Sequence, residues 1–136
     1  MELTHIEHIG IAVKNLSQAV KYYEEVLGLT CYAVEEVHDQ KVKTAFFRIG
    51  QTKIELLEST DPEGPVAKFI EKRGEGVHHI AFAVGDVEKA LDEVRQKNIR
   101  LIDEKPRKGA EGLDIAFLHP RSTFGVLTEL CGDKKP

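Results

Sequence analysis

Two histidines and two glutamates recur at matching places in the two halves of the sequence. His8 lies in a His-Ile-Gly-Ile-Ala-Val segment, and His79 lies in a similar His-Ile-Ala-Phe-Ala-Val segment 71 residues later. Glu55 and Glu129 are both followed by leucine and stand 74 residues apart. Two imidazoles and two carboxylates that converge on one point would form a mixed nitrogen and oxygen site, which suits a divalent ion such as Zn, Co, Ni or Mn.

The alternation of side chains along a strand places each histidine among small residues. His8 shares a strand face with Gly10 and Ala12, and His79 shares its face with two alanines. A packed core normally has larger side chains at such positions, so this pattern predicts the floor of a cavity. A glutamate within an apolar run is costly to bury unless a charge or a metal receives it. The sequence therefore predicts that the two histidines and two glutamates bind one divalent ion per chain, with positions left for water or substrate.

The rest of each half supplies the elements that position these residues. The predicted strands span residues 8–13, 30–37, 42–49 and 53–58 in the first half and 79–84, 99–104, 114–119 and 125–130 in the second. Asn15 and Asp86 are typical helix N-caps, and an apolar stripe at helical spacing follows each of them. Gly28 is predicted to follow the end of the first helix. A shorter helix is predicted to begin at Pro65, between the halves.

This order of elements predicts an α+β fold made of tandem βαβββ modules. Each half alone is too small for a good core, so the modules are expected to form one curved mixed sheet around the metal site, with the helices outside. We expect residues 1–136 to form a single domain, with module one at about 4–60, a linker at about 61–75 and module two at about 76–132.

Composition and charge exclude several classes of function. Hydrophobic residues make up 41% and charged residues 31% of the 136 residues, as in a globular domain. The net charge of −4 argues against a nucleic-acid partner or an anionic membrane surface. No apolar run reaches the roughly 18 residues of a membrane span, and no secretory signal begins the sequence, so a cytoplasmic location is expected. Cys31 and Cys131 are too few for a disulfide framework.

The tandem repeat with its His, Glu, His, Glu order resembles the vicinal oxygen chelate superfamily along the whole chain. Finer segments are similar to the methylmalonyl-CoA epimerase family. They are Gly-Pro-Val-Ala-Lys-Phe-Ile at 64–70, Arg-Gly-Glu-Gly-Val-His-His-Ile at 73–80, Lys-Pro-Arg-Lys-Gly-Ala at 105–110, Phe-Leu-His-Pro at 117–120 and Gly-Val-Leu-Thr-Glu-Leu at 125–130.

The resemblance implies a metal-dependent epimerase that interconverts (R)- and (S)-methylmalonyl-CoA. It implies His8, His79 and Glu129 as metal ligands with Glu55 at the fourth position, and it implies a homodimer. Glu129 and Glu55, on opposite halves of the repeat, would be the two catalytic bases. Some epimerases of the family carry a catalytic glutamate where this chain has Thr44, which leaves the identity of the second base open.

Two alternatives remain open at this stage. A lactoylglutathione lyase, or a related lyase of the same superfamily, would use the same kind of proton-transfer site. A non-catalytic module that sequesters a small ligand would keep the site without its chemistry.

An acyl-CoA substrate would also need cations for its phosphates. Two groups of basic residues near the epimerase-like segments are candidates, namely Lys68, Lys72, Arg73, Lys105, Arg107 and Lys108. His78 has the wrong strand parity for the metal site and is predicted to be structural or to support a metal ligand without binding the metal itself.

Overall fold

Eight strands and three helices make up the part of the chain that the structure, a computed structural model, describes, which is residues 1–132. The helices are α1 (Leu16–Glu25), α2 (Pro65–Arg73) and α3 (Val87–Gln96). The strands are β1 (Leu3–Ala12), β2 (Ala33–Val37), β3 (Val42–Ile49), β4 (Thr52–Ser59), β5 (Gly76–Val84), β6 (Arg107–Lys108), β7 (Asp114–Leu118) and β8 (Thr128–Gly132).

The chain divides into two units, each with its own internal packing. The first unit is His8–His78, and the second unit contains residues 1 to 7 and 79 to 132. Strand β1 therefore contributes to both units. Its beginning is held in the second unit, where Thr4 Oγ1 donates to the carbonyl oxygen of Ala83 at 3.5 Å. The single-domain organisation expected from the sequence stays a prediction.

In the first unit, the strand order is β2-β3-β4-β1, and only the β4–β1 pair is parallel. Helix α1 begins where predicted, because the side chain of Asn15 accepts a hydrogen bond from the Gln18 amide at 3.0 Å. Its apolar stripe packs on one face of the sheet. Around a core of Val13, Leu16, Ala45, Phe47 and Leu56 lie Ile11, Ala19, Val20, Tyr23, Leu29, Cys31 and Ile54.

In the second unit, the strand order is β5-β8-β7-β6, and only the β5–β8 pair is parallel. Asp86 caps α3 by accepting from the Lys89 amide at 3.1 Å. The buried stripe of α3 packs against β5, β7 and β8 in a cluster of Val84, Val87, Ala90, Leu91, Val94, Ala116, Leu118 and Leu130. Both parts of the chain thus follow the β-α-β-β-β order, and the predicted α+β class with its tandem repeat is confirmed.

The predicted strand at 99–104 is wrong. Only Leu101 in that stretch forms a bridge, with Leu118, and the short strand β6 lies later, at Arg107–Lys108. The reason is that the carboxylate of Asp103 accepts the backbone N–H of Phe117 at 2.8 Å, so a side chain takes the place of a ladder partner. The preceding stretch therefore cannot run on as a regular strand beside β7.

Several element ends also differ from prediction. Strand β1 begins at Leu3 rather than at His8, and β2 begins at Ala33 rather than at Thr30. Helix α1 ends at Glu25 rather than at Leu27, with Val26 as the C-cap. Strand β8 begins at Thr128 rather than at Gly125, because the amide of Gly125 bonds back to the carbonyl of Pro120 at 2.8 Å. The helix predicted at Pro65 is confirmed as α2. Of the helices in residues 1–132, none is both long and apolar enough to cross a membrane.

Candidate active site

In the first unit, the predicted site residues His8 and Glu55 contact each other. They lie on the parallel strands β1 and β4, where Gly10 is in register with Glu55. The Nδ1 atom of His8 is 3.2 Å from Oε2 of Glu55, and each residue is only 4% exposed. A buried imidazole and carboxylate at this distance share a proton or a cation, since either one alone would be costly to bury.

A buried lysine beside this pair was missed from the sequence. Lys53 is in register with His8, and its Nζ lies 4.0 Å from Oε2 of Glu55. Its side chain is 3% exposed, which is rare for lysine unless the charge is compensated. The signal was available, because Lys53 precedes Glu55 by two residues in a strand and so shares its face.

In the second unit, His79 and Glu129 form a pair of the same kind. The Nε2 atom of His79 on β5 is 3.2 Å from Oε1 of Glu129 on β8, and both residues are buried. Ala81 is in register with Glu129 and is fully buried, and the cavity floor predicted for this face stays a prediction. The ring of Phe117, opposite Glu129 on β7, meets the imidazole of His79 edge-on with 5.4 Å between ring centroids.

The donor atoms of each pair fit a divalent metal ion. Each unit offers one imidazole nitrogen and one carboxylate oxygen, which are ligand types that borderline divalent ions accept. Burial favours the same conclusion, because a cation offsets the cost of keeping a carboxylate away from water. The structure shows each pair within its own unit, and ligation of one ion by all four residues stays a prediction.

Thr44, which stands where some epimerases have a catalytic glutamate, is buried in the first unit. Phe46, two residues along β3, is opposite Glu55, so Thr44, Phe46 and Glu55 share one face of the sheet. Thr44 is 1% exposed, and its Oγ1 has no hydrogen-bond partner among residues 1–132. A hydroxyl is too weak a base to replace a carboxylate, so Thr44 cannot take over that role.

The cations of α2 and its surroundings contact neighbours in the first unit. The guanidinium of Arg73 lies over the ring of Phe69 at 5.8 Å, and that ring meets the imidazole of His78 edge-on at 5.0 Å. Lys68 Nζ lies 3.6 Å from a carboxylate oxygen of Glu63. His78 thus contacts an aromatic ring of α2, and its role stays a prediction.

In the second unit, two of the predicted cations form ion pairs. Lys108 Nζ lies 2.5 Å from Oδ1 of Asp114, and Nε of Arg107 lies 3.1 Å from Oδ1 of Asp103. The side chain of Lys108 is exposed, whereas those of Arg107 and Asp103 are partly buried.

The sequence profile of the Glyoxalase/Bleomycin resistance protein/Dioxygenase superfamily matches residues 7–117. The chain belongs to this superfamily. The match covers most of the repeat, and it confirms the family resemblance inferred from the two His-containing strands and the two Glu-Leu segments.

Within the superfamily, the chain is similar to proteins of known and unknown activity. It is 46% identical over 132 residues to the uncharacterized protein YqjC of Bacillus subtilis. The alignment covers 97% of this chain and 94% of that protein. It is 35% identical over 127 residues to an ethylmalonyl-CoA/methylmalonyl-CoA epimerase of Cereibacter sphaeroides, at 92% and 95% coverage. A solved variant of Streptomyces coelicolor methylmalonyl-CoA epimerase, in complex with 2-nitronate-propionyl-CoA, is 38% identical, with a TM-score of 0.95 and 98% and 100% coverage.

Proposed function

We propose that this superfamily member is a metal-dependent epimerase that interconverts (R)- and (S)-methylmalonyl-CoA. The observation that carries the proposal is the repeated His–Glu contact, one in each unit, in a chain similar over nearly its full length to methylmalonyl-CoA epimerases. Epimerisation removes a proton from one side of a carbon and returns one to the other side. A site with one carboxylate from each half of a repeat supplies the two bases that this reaction needs.

The proposed cofactor is one divalent metal ion per chain, of Co, Mn, Zn or Ni. The proposed ligands are His8, Glu55, His79 and Glu129. Their ligand types and their burial support the assignment. When bound, the ion would act as a Lewis acid toward the oxygens of the thioester carbonyl and the carboxylate, which flank the reacting carbon.

The proton transfers are assigned to the two glutamates. The carboxylate of Glu129 takes the α-proton, and the electron pair of the broken C–H bond moves into the thioester as an enolate. Glu55, which carries a proton at that moment, donates it to the opposite side of the same carbon, and the reverse reaction exchanges the two roles. Nδ1 of His8 and Nε2 of His79 each lie 3.2 Å from the carboxylate of their own unit, and the ammonium of Lys53, 4.0 Å from Oε2 of Glu55, favours the ionised form of Glu55 after it has donated its proton.

The proposed partner is an acyl-CoA thioester, and the proposed setting is a homodimer in the cytoplasm. Strand β2 is an edge strand, because it is at one end of the strand order in its unit, and its Val34 is half-exposed. An edge strand of this kind can pair with a strand of a second copy, which supports the homodimer. Sedimentation velocity tests the oligomeric state, and a mass of one chain, about 15 kDa, at micromolar concentration would contradict the dimer.

The experiment that tests the function assays two substrates with the same metal-loaded protein. The epimerase proposal predicts rapid interconversion of the methylmalonyl-CoA epimers. It also predicts little turnover of the methylglyoxal–glutathione hemithioacetal, the substrate of a lactoylglutathione lyase. Efficient turnover of the hemithioacetal without epimerisation would replace the proposal with the lyase. Binding without turnover of either compound would indicate a sequestering module.

A further inference from the structure

Strand register places Arg107 on the same face of the second unit as Glu129. Arg107 on β6 is opposite Ile115 on β7, and Phe117, two residues along β7, is opposite Glu129 on β8. Directly opposed residues in antiparallel strands share a face, and so do residues two apart in one strand. The guanidinium of Arg107 therefore lies on the face that carries the His79–Glu129 pair.

The neighbouring lysine is on the other face. Lys108 is opposite Asp114, and the two side chains form an ion pair. Of the two cations on β6, only Arg107 is on the side of the sheet where the proposed chemistry takes place.

Arg107 is held in place by two neighbours that leave its outer edge open. Its Nε donates to Oδ1 of Asp103 at 3.1 Å, and its Cζ lies 5.7 Å from the centre of the Phe117 ring. Asp103 is itself fixed, because its second oxygen accepts the backbone N–H of Phe117 at 2.8 Å. The two terminal nitrogens of Arg107 have no hydrogen-bond partner among residues 1–132, and the side chain is 33% exposed. A planar guanidinium with two free nitrogens is suited to bidentate binding of an oxyanion.

We propose that Arg107 binds an oxyanion of the acyl-CoA substrate and that Asp103 positions it. This inference rests on the proposed function. One aromatic ring, that of Phe117, touches both the guanidinium and the imidazole of His79. The guanidinium is therefore separated from His79 by the width of one ring. This short distance favours the free carboxylate of the acyl group, next to the reacting carbon, over the more distant phosphates of CoA. Arg107 is then a residue that determines specificity for thioesters with a carboxylate.

Calorimetric titration of metal-loaded protein with three ligands tests whether Arg107 binds the substrate and which of the substrate's anions it binds. Methylmalonyl-CoA has both kinds of anion, propionyl-CoA lacks the carboxylate, and methylmalonyl-pantetheine lacks the nucleotide phosphates. We expect R107M to weaken binding of methylmalonyl-CoA and methylmalonyl-pantetheine at least tenfold and to leave propionyl-CoA within twofold. We expect K97M, at the exposed C-cap residue of α3, to leave all three within twofold of the wild type.

Other patterns of binding identify other outcomes. Weaker binding of the two CoA ligands by R107M, with the pantetheine compound unchanged, would place the contact at a phosphate and overturn the carboxylate assignment. Wild-type affinity of R107M for all three ligands would overturn the proposal. A wild-type protein that binds the ligands without epimerising would contradict the proposed function alone, and one that binds none of them would contradict both.

The positioning role of Asp103 has its own test. We expect D103N to raise the KM for methylmalonyl-CoA several-fold with little change in kcat, because the amide keeps an acceptor for Phe117 but loses the charge that holds Arg107. In the R107M background the same change should have no further effect on KM, since the residue it positions is gone. An equal effect of D103N with and without Arg107 would show a merely structural role and overturn this part of the proposal.

Discussion

The imidazole of His8 on β1 lies against the carboxylate of Glu55 on β4, with 3.2 Å between Nδ1 and Oε2. The second unit repeats this contact between His79 and Glu129 at the same distance, although through Nε2 of the imidazole. In both units the histidine is on the first strand of the β-α-β-β-β series and the glutamate is on the last, and those two strands are parallel neighbours. The repeat in the sequence is therefore a repeat of one physical contact.

Removal of either histidine should release the metal. We expect His8→Ala and His79→Ala to lower metal affinity by at least roughly 10–100-fold, because each removes a proposed ligand. Elemental analysis of the purified proteins measures the loss. Added metal should raise the Tm of the wild type, since an ion that binds only the folded state stabilises it, and it should not raise the Tm of the variants.

His38→Ala is the matched control for this prediction, because the His38 side chain is 84% exposed and pairs with Glu36 at the surface. It should retain the metal and the Tm response. Full metal occupancy in both His8→Ala and His79→Ala would contradict the site.

Substitution of each glutamate by glutamine should distinguish its role as a base from its role as a metal ligand. Glutamine can still bind a metal through its amide oxygen but cannot accept the substrate proton. We expect Glu55→Gln and Glu129→Gln to keep the metal and to lose epimerisation by about 10²–10⁴-fold. Each variant should still exchange the α-proton of one epimer with solvent, since one base remains. Equal loss of exchange with both epimers would instead indicate that the glutamates act only as ligands.

Thr44→Val should stabilise the first unit without abolishing activity. The buried Oγ1 of Thr44 lacks a partner among the described residues, and an unsatisfied buried polar group costs about 1–3 kcal/mol. Replacement of the hydroxyl by a methyl group should raise the free energy of unfolding by about 1 kcal/mol, measured in urea. Turnover should stay within about tenfold of the wild type, because loss of a true base costs at least ~10².

Thr44→Ser is the comparison variant, since it keeps the hydroxyl and removes the methyl group, and it should lower stability. A hundredfold loss of turnover in Thr44→Val, together with a harmless Glu55→Gln, would show that Glu55 is not the second base.

The caps of α1 and α3 should each contribute measurable stability. Asn15→Ala and Asp86→Ala remove the acceptors of the Gln18 and Lys89 amides, which should cost about 1 kcal/mol each in urea unfolding. Ser17→Ala, an exposed position in the first turn of α1, should change stability by less than about 0.5 kcal/mol. Cap variants as stable as the wild type would mean that the helix starts are held by other contacts.

Local patterns were sufficient to predict most of the fold. The alternation of His8, Gly10 and Ala12 gave the face of β1, and the polar residues Asn15 and Asp86 gave the starts of two helices. These features depend on residues within one turn or one strand of each other, which is the range over which a sequence pattern carries direct physical information.

Features that depend on contacts between distant segments were not predicted. The Asp103 carboxylate replaces a ladder bond by reaching Phe117, 14 residues away, so the strand pattern at 99–104 gave a false prediction. Lys53 was not identified from the sequence, and the pairing of β4 with β1 shows that it is buried beside Glu55.

The central claim is tested most directly by following the α-proton itself. A single epimer of methylmalonyl-CoA is incubated in D₂O with the metal-loaded wild-type protein, and both epimers are analysed for deuterium at the α-carbon. The account predicts that the second epimer appears with deuterium at that carbon and that a chelator stops both interconversion and exchange. Interconversion without deuterium, or exchange that the chelator leaves unchanged, would contradict it.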